Sequence, residues 1–179
     1  MWPGALPRHT APAPNAADQR SSALAKGPLR TLRSRAIALL ARREYSRAEL
    51  RARLVRHRDA AAEQGDEDID ALLDTLAADG FLSDARFAQS LVRRKAGTHS
   101  RRAIAGELRA QGVAQDTLAE AIAGSELDDD VTMRALWERR FGEPPRDERE
   151  KARQVRFLQS RGFGLSAILR FLRSSEQGT

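Results

Sequence analysis

The chain has 179 residues and a formal net charge of +6, and 41% of its residues are hydrophobic while only 5% are aromatic. This length provides for one ordinary domain or a short series of small units, and the scarcity of aromatic residues argues against a deep aromatic-lined ligand pocket. The absence of cysteine excludes disulfides, thiol catalysis and cysteine-ligated metals. No run approaches the roughly 18 apolar residues of a membrane span, and the first residues lack the apolar stretch of a secretory signal. We therefore expect a cytoplasmic protein without a membrane partner.

Positive charge is carried almost entirely by arginine, because only three of the 31 basic residues are lysines. Arginine binds phosphate or carboxylate groups through two parallel hydrogen bonds. An arginine-rich basic chain therefore favours polyanionic partners, either nucleic acid or an acidic protein surface. A single arginine can equally serve to keep a helix face solvated, so the hypothesis depends on clusters of them.

Proline and glycine divide the chain into a tail and a series of helices. Five of the seven prolines lie in the first 28 residues, and none lies between residues 29 and 143. Residues 1–30 are predicted to be a disordered tail rich in proline and alanine. The rest lacks the alternating pattern of strands and predicts an all-α fold. Its nine predicted helices cover about residues 31–43, 46–57, 67–79, 83–95, 100–111, 115–124, 128–140, 147–160 and 165–174.

The predicted helix ends carry recognisable residues. Ser46 and Glu49 have the spacing of a capping box. Acidic clusters at 66–68, 128–130 and 147–148 stand where carboxylates favour the positive end of the helix dipole, and they lack the alternating pattern of a calcium loop. Six glycines are predicted to close helices in the left-handed conformation, namely Gly80, Gly97, Gly112, Gly124, Gly142 and Gly162.

The nine helices group into three similar units of three. The first helix of each unit carries two apolar or small residues four positions apart, followed by an arginine pair. These residues are Ala36/Leu40 before Arg42-Arg43, Phe87/Leu91 before Arg93-Arg94, and Met133/Trp137 before Arg139-Arg140. Later in two of the units, "LRAQGV" at 108–113 matches "LQSRGF" at 158–163. An insertion at about 58–66 separates the last two helices of the first unit.

Such small three-helix units have little core of their own and are stabilised by stacking side by side. We therefore expect an elongated tandem array of three three-helix repeats, at residues 31–80, 81–126 and 127–174, followed by a C-terminal tail at 175–179. The large aromatic residues are predicted to lie in the apolar seams and not to act as stacking platforms for bases. They are Phe81, Phe87, Trp137, Phe141, Phe157 and Phe163.

No pattern for catalysis or metal binding is present. His9, His57 and His99 have no second ligand at a metal-binding spacing, and the chain has no phosphate-binding glycine loop, GxSxG or HExxH sequence. We expect neither catalytic residues nor a cofactor or metal, and therefore no enzyme. What remains are basic clusters, of which the densest joins Arg93-Arg94-Lys95 to Arg101-Arg102 across a short loop.

Five strings in the right order resemble the RecX family. They are "SRAEL" at 46–50, "DGFLSDARFAQSLVRRKAG" at 79–97, "SRRAIAGELRAQGV" at 100–113, "RFLQSRGF" at 156–163 and "AILRFL" at 167–172. The resemblance covers about residues 33–174, and the tail and the insertion depart from it. It implies a regulator that binds the RecA filament on single-stranded DNA and inhibits its recombinase and ATPase activities, which modulates homologous recombination and DNA repair.

The resemblance also suggests where a partner binds. By this resemblance, the candidate binding site is a basic face formed by Arg93, Arg94, Lys95, Arg101, Arg102 and Arg109. We expect a monomer with RecA as its partner and an additional weak contact with DNA. The alternative is a DNA-binding protein of nonspecific or helix-turn-helix type, whose affinity would fall steeply with salt. An enzyme is the third and least supported hypothesis.

Overall fold

The computed structural model describes residues 31–60 and 68–177, which form nine α-helices and no β-strand. The helices are α1 (Leu32–Leu40), α2 (Arg47–Ala60), α3 (Ile69–Ala78), α4 (Asp84–Lys95), α5 (Arg101–Ala110), α6 (Gln115–Ala123), α7 (Asp129–Arg140), α8 (Glu148–Ser160) and α9 (Leu165–Gln177). The predicted all-α class is therefore confirmed. The predicted tail at 1–30 and residues 61–66 of the insertion lie outside the described residues.

Side-chain caps account for the start of most helices. Six residues accept backbone N–H groups of the first turn, namely Ser46, Asp68, Ser83, Ser100, Asp128 and Asp147. The predicted capping box forms in one direction only. The N–H of Glu49 donates to Ser46 Oγ at 3.0 Å, whereas the carboxylate of Glu49 pairs with Arg43 and Arg53 instead of returning to the backbone of Ser46.

Five of the six glycines predicted to be left-handed do have positive φ angles. The prediction was wrong for Gly124, whose φ is −76°. The chain continues there in a right-handed turn, in which the N–H of Ser125 donates to the carbonyl oxygen of Ile122 at 3.2 Å.

Each successive trio of helices encloses its own hydrophobic cluster, and the extensive helix–helix contacts lie within the trios. The fully buried leucine and isoleucine residues are Leu50, Leu54, Leu73 and Leu76 in α1–α3, Leu91, Ile104 and Leu108 in α4–α6, and Leu136, Leu158, Ile168 and Leu172 in α7–α9. The boundaries at 31–80, 81–126 and 127–174 stay a prediction. Leu127 packs against the second cluster, and α9 runs to Gln177, through the start of the segment expected to be a C-terminal tail.

The aromatic residues follow the prediction only in part. Phe87, Trp137 and Phe163 are buried, but Phe81 is 45% exposed. In the turn after α3 the next residue, Leu82, occupies the core position, while the backbone N–H of Phe81 is bonded to the carbonyl oxygen of Leu76. Phe141 and Phe157 are half-buried, each beside the third cluster.

Adjacent trios meet where the second helix of the earlier trio begins. At α2, the buried hydroxyl of Ser46 donates to the carbonyl oxygen of Gln111 at 2.8 Å, and the N–H of Arg47 donates to Asp84 Oδ1 at 2.8 Å. The first N–H groups of a helix have no partner within it, and Asp84 of the next trio satisfies that of Arg47. This contact fixes the start of α4, which carries part of the predicted site.

The second joint lies at the corresponding place, but its serine donates through the backbone N–H and not through the hydroxyl. At α5, the N–H of Ser100 donates to the carbonyl oxygen of Arg161 at 2.9 Å, and the N–H of Arg101 donates to Asp129 Oδ1 at 2.8 Å. The glycine after each carbonyl leaves no room for a side chain, because a Cβ on Gly112 would lie 2.8 Å from Ala48 Cβ and one on Gly162 would lie 2.6 Å from Ser100 Oγ. Both glycines have positive φ angles, which other residues adopt at a cost.

Candidate functional site

The loop between α4 and α5 is surrounded by basic residues. Gly97 turns the chain with a φ of 68°, Thr98 Oγ1 donates to the carbonyl oxygen of Lys95 at 2.8 Å, and Ser100 caps α5. The last turn of α4 carries Arg93, Arg94 and Lys95, whose positive charges lie at the negative end of the helix dipole. Five of the six predicted binding residues lie on either side of this loop, namely Arg93, Arg94, Lys95, Arg101 and Arg102.

Three of the predicted residues present free charges. Arg93, Arg94 and Arg101 are exposed, and their guanidinium groups have no carboxylate at ion-pair distance within residues 31–60 and 68–177. An exposed, unpaired guanidinium retains all of its donors for an external acceptor. These three residues are the part of the predicted face that the structure leaves available.

The other three residues make internal contacts. Lys95 Nζ lies 3.1 Å from Glu107 Oε2, which ties α4 to α5. Arg102 Nε donates to the carbonyl oxygen of Gly162 at 3.2 Å, across the second joint. Arg109 Nε donates to Gln115 Oε1 at 3.3 Å, across the turn to α6. Sequence reasoning could not predict these contacts, because each joins residues on different elements.

His99 lies beside this loop, in surroundings that favour the neutral form of its imidazole. Burial lowers the pKa of His99, and the positive charges of Lys95 and Arg161 lower it further, against the opposing effect of Glu107. Its Nδ1 lies 3.0 Å from Thr98 Oγ1. Among the described residues no group of three or more His, Asp or Glu side chains is arranged to hold a metal ion.

Comparisons with known proteins place this geometry in a family. Residues 83–122 match the family model of the second three-helix domain of RecX, and residues 128–172 match the model of the third. The chain is 41% identical over 154 residues to regulatory protein RecX of Ralstonia pickettii, with coverage of 86% of this chain and 93% of that protein. The chain belongs to the RecX family.

Other members of this family of regulatory proteins are equally similar. RecX of Leptothrix cholodnii is 42% identical over 149 residues, and RecX of Chromohalobacter salexigens is 43% identical over 139 residues, which cover 83% and 77% of this chain. The crystal structure of RecX from Lactobacillus salivarius superposes with a TM-score of 0.59 over 90% of this chain and 99% of that one, at 15% identity. At that identity the superposition shows the shared fold alone.

The RecX family models fall on the second and third helix trios, and these are also the trios with the most unpaired positive charge. In α1–α3, carboxylates pair with Arg33, Arg43, Arg47, Arg51, Arg53 and Arg58. In the described part of the third trio, nine arginines have no carboxylate at ion-pair distance, namely Arg134, Arg139, Arg140, Arg149, Arg153, Arg156, Arg161, Arg170 and Arg173. Exposed ion pairs add little stability, but they leave Arg35, Arg42 and Arg56 as the unpaired arginines in the described part of the first trio. None of the described helices is long and apolar enough to cross a membrane.

Proposed function

We propose that this RecX-family chain binds the filament that RecA forms on single-stranded DNA and inhibits its strand exchange and ATP hydrolysis. In this way it would modulate homologous recombination and DNA repair. It acts in the cytoplasm as a monomer, without catalysis and without a cofactor. The observation that carries the proposal is the similarity to regulatory protein RecX along nearly the whole length of that protein.

The surface around the α4–α5 loop supports a role in binding. Arg93, Arg94 and Arg101 are exposed and free of carboxylates among the described residues, so they suit a partner with a negative surface. Arg102 is a weaker candidate for direct contact, because its Nε is already bonded to the carbonyl oxygen of Gly162. The proposed contact is therefore centred on the first three residues.

Direct binding to DNA is the second candidate function. The unpaired arginines of α4, α5 and α7–α9 would neutralise phosphates as readily as carboxylates. In that case the chain would compete with RecA for the strand, and it would inhibit only when enough protein is present to cover the DNA.

The test is ATP hydrolysis by cognate RecA preassembled on single-stranded DNA at fixed salt, with this chain added in increasing amounts. We expect inhibition at protein concentrations well below the concentration of DNA sites. Inhibition that begins only when the chain coats the DNA would instead favour the DNA-binding function. A chain that leaves hydrolysis unchanged at all concentrations would refute the proposal.

A charge-reversal variant locates the contact. We expect Arg93→Glu, Arg94→Glu and Arg101→Glu together to abolish substoichiometric inhibition, while the far-ultraviolet circular dichroism stays unchanged. The matched control reverses Arg35, Arg42 and Arg56, which are likewise without ion-pair partners among the described residues but lie in the first trio. An equal loss of inhibition in both variants would show that net charge matters and the α4–α5 loop does not.

A further inference from the structure

Three arginines of the third trio are held against two phenylalanine rings. Phe141 and Phe157 pack edge to face with their centroids 5.5 Å apart. The guanidinium carbon of Arg140 lies 4.9 Å from the centroid of Phe157, that of Arg161 lies 5.5 Å from the same ring, and that of Arg153 lies 5.7 Å from the centroid of Phe141. We call these five residues the Arg–Phe cluster.

The other two trios neutralise the corresponding place. Lys95 of the second trio corresponds to Phe141, because each follows an arginine pair, and Glu107 corresponds to Phe157, because each precedes a buried leucine. Lys95 and Glu107 form an ion pair of 3.1 Å. In the first trio two arginines also flank a ring, Tyr45, at 3.8 Å and 5.2 Å. There, however, Glu49 pairs with both arginines. Among the described residues, ring-stacked arginines without a carboxylate at ion-pair distance are found in the third trio.

Stacking on the rings prepares the guanidinium groups for an anionic ligand. A cation over an aromatic face is attracted to it and loses part of its freedom, while its N–H edge stays available for a bidentate acceptor. The buried Nε of Arg161 has no hydrogen-bond partner in the described residues. This side chain is therefore held by its contact with the Phe157 ring and not by an internal acceptor. Less ordering of the side chains is then required when a ligand binds.

We propose that the Arg–Phe cluster is the docking site of an acidic protein segment, whose carboxylates bind the guanidinium edges. A surface cavity of about 260 Å³ adjoins it, with Phe141 and Pro144 as apolar lining and Glu143 and Glu150 among its walls. An apolar side chain between two acidic residues fits this mixture of surfaces. The inference goes beyond the proposed function, since it requires no filament and would stand if the RecA proposal failed.

A single-stranded nucleic acid fits the cluster less well. Strands bind through bases stacked on open aromatic faces together with a continuous basic track. Here the two rings pack against each other and beneath the arginines.

Fluorescence anisotropy of a labelled peptide, Glu-Leu-Glu-Ser repeated three times, tests the proposal on the full chain. We expect the peptide to bind, and the charge-preserving variant Arg140→Lys, Arg153→Lys, Arg161→Lys to bind about tenfold more weakly, because lysine lacks the planar, two-pronged donor. The control variant Arg43→Lys, Arg53→Lys changes the ring-stacked arginines that Glu49 already neutralises, and we expect its affinity to match that of the parent.

Three outcomes would overturn the proposal. The first is that the peptide does not bind, and the second is that the control loses as much affinity as the triple variant. The third is that oligothymidylate of equal net charge binds more tightly than the peptide and responds to the triple variant, which would assign the cluster to nucleic acid. If the triple variant loses helicity, the single variant Arg153→Lys, at an exposed position of α8, is measured in its place with the same expected direction.

Discussion

The N–H of Ser100 donates a 2.9 Å hydrogen bond to the carbonyl oxygen of Arg161, which joins the start of α5 to the turn after α8. In the first joint the carbonyl oxygen of Gln111 accepts instead from the side-chain hydroxyl of Ser46, at 2.8 Å. In both joints the accepting carbonyl directly precedes a glycine with positive φ. A carbonyl placed at the positive end of a helix dipole is stabilised there, so one device connects all three trios.

In the third trio the corresponding helix, α8, is capped by residues of its own trio. At the start of α8, Asp147 Oδ1 accepts the N–H of Glu150 at 2.7 Å, and the carboxylate of Glu150 accepts the N–H of Arg146 at 2.9 Å. Because Asp147 is the N-cap and Glu150 accepts from the residue before it, the pair differs from a capping box, in which the second bond returns to the N-cap itself.

The joint makes Gly162 a strong determinant of stability. We predict that Gly162→Ala lowers the free energy of unfolding by about 3 kcal/mol, because the left-handed backbone strains alanine and the new Cβ would collide with Ala103 and Ser100. Gly97→Ala is the matched control, since its φ is also positive but nothing lies within 4 Å of an added Cβ. We expect the control to lose only about 1 kcal/mol. Urea titration measures both, and equal losses would mean that the close contact is irrelevant.

Asp129 supplies the second acceptor of the same joint. We predict that Asp129→Ala costs about 1–2 kcal/mol, because the N–H of Arg101 loses the acceptor that lies 2.8 Å away. Asp130→Ala removes the neighbouring carboxylate from the same first turn of α7, where it has no such bond to α5. Thermal denaturation of the two variants distinguishes the hydrogen bond to Arg101 from the general effect of a carboxylate at the helix dipole. A loss of stability in Asp130→Ala as large as in Asp129→Ala would contradict a stabilising role for that hydrogen bond.

The sequence predicts local features well in this chain. The spacing of Leu108 and Leu158 before their glycines correctly places both in hydrophobic clusters, and the acidic starts at Asp128 and Asp147 are true caps. These features depend on residues only a few positions apart. Helix periodicity and capping are determined at that range, which is why they can be derived from one sequence.

The features missed join residues far apart in the chain. The contact of Arg102 with Gly162 and the neutralisation of Arg51 by Asp70 depend on how helices pack. Phe141 and Phe157 have the spacing of core residues but end half-buried beneath arginines. Composition cannot separate a paired arginine from a free one, so the candidate site could be predicted only as a basic cluster.

Leu108 tests the alignment of the repeats. It is fully buried in the second cluster, and we predict that Leu108→Ala lowers the free energy of unfolding by about 2–5 kcal/mol through lost burial and a cavity. Leu165→Ala makes the same chemical change at a site that is 49% exposed, and we expect it to cost less than about 1 kcal/mol. Urea unfolding followed by circular dichroism compares them. An unchanged midpoint for Leu108→Ala would show that its place in the repeat is incorrect.

His99 should make stability depend on pH near the basic loop. Burial, followed by the charges of Lys95 and Arg161, lowers its pKa in the folded chain. The unfolded chain, with an ordinary histidine pKa of about 6.5, then binds the proton more readily, so protonation favours unfolding. The stability associated with neutral His99 is therefore complete above about pH 6.5 and is lost as the pH falls through the folded-state pKa.

We predict that His99→Gln loses less stability than the parent chain when the pH is lowered from about 7 to about 5. Glutamine keeps a polar group beside Thr98 but does not titrate, so the difference between the two chains isolates the imidazole. Urea denaturation midpoints at a series of pH values measure this difference. His57→Gln is the control, because His57 has no ion-pair partner among the described residues. Parallel pH profiles for the parent chain and His99→Gln would contradict the depressed pKa, and a profile in which only the parent weakens below about pH 6.5 would support it.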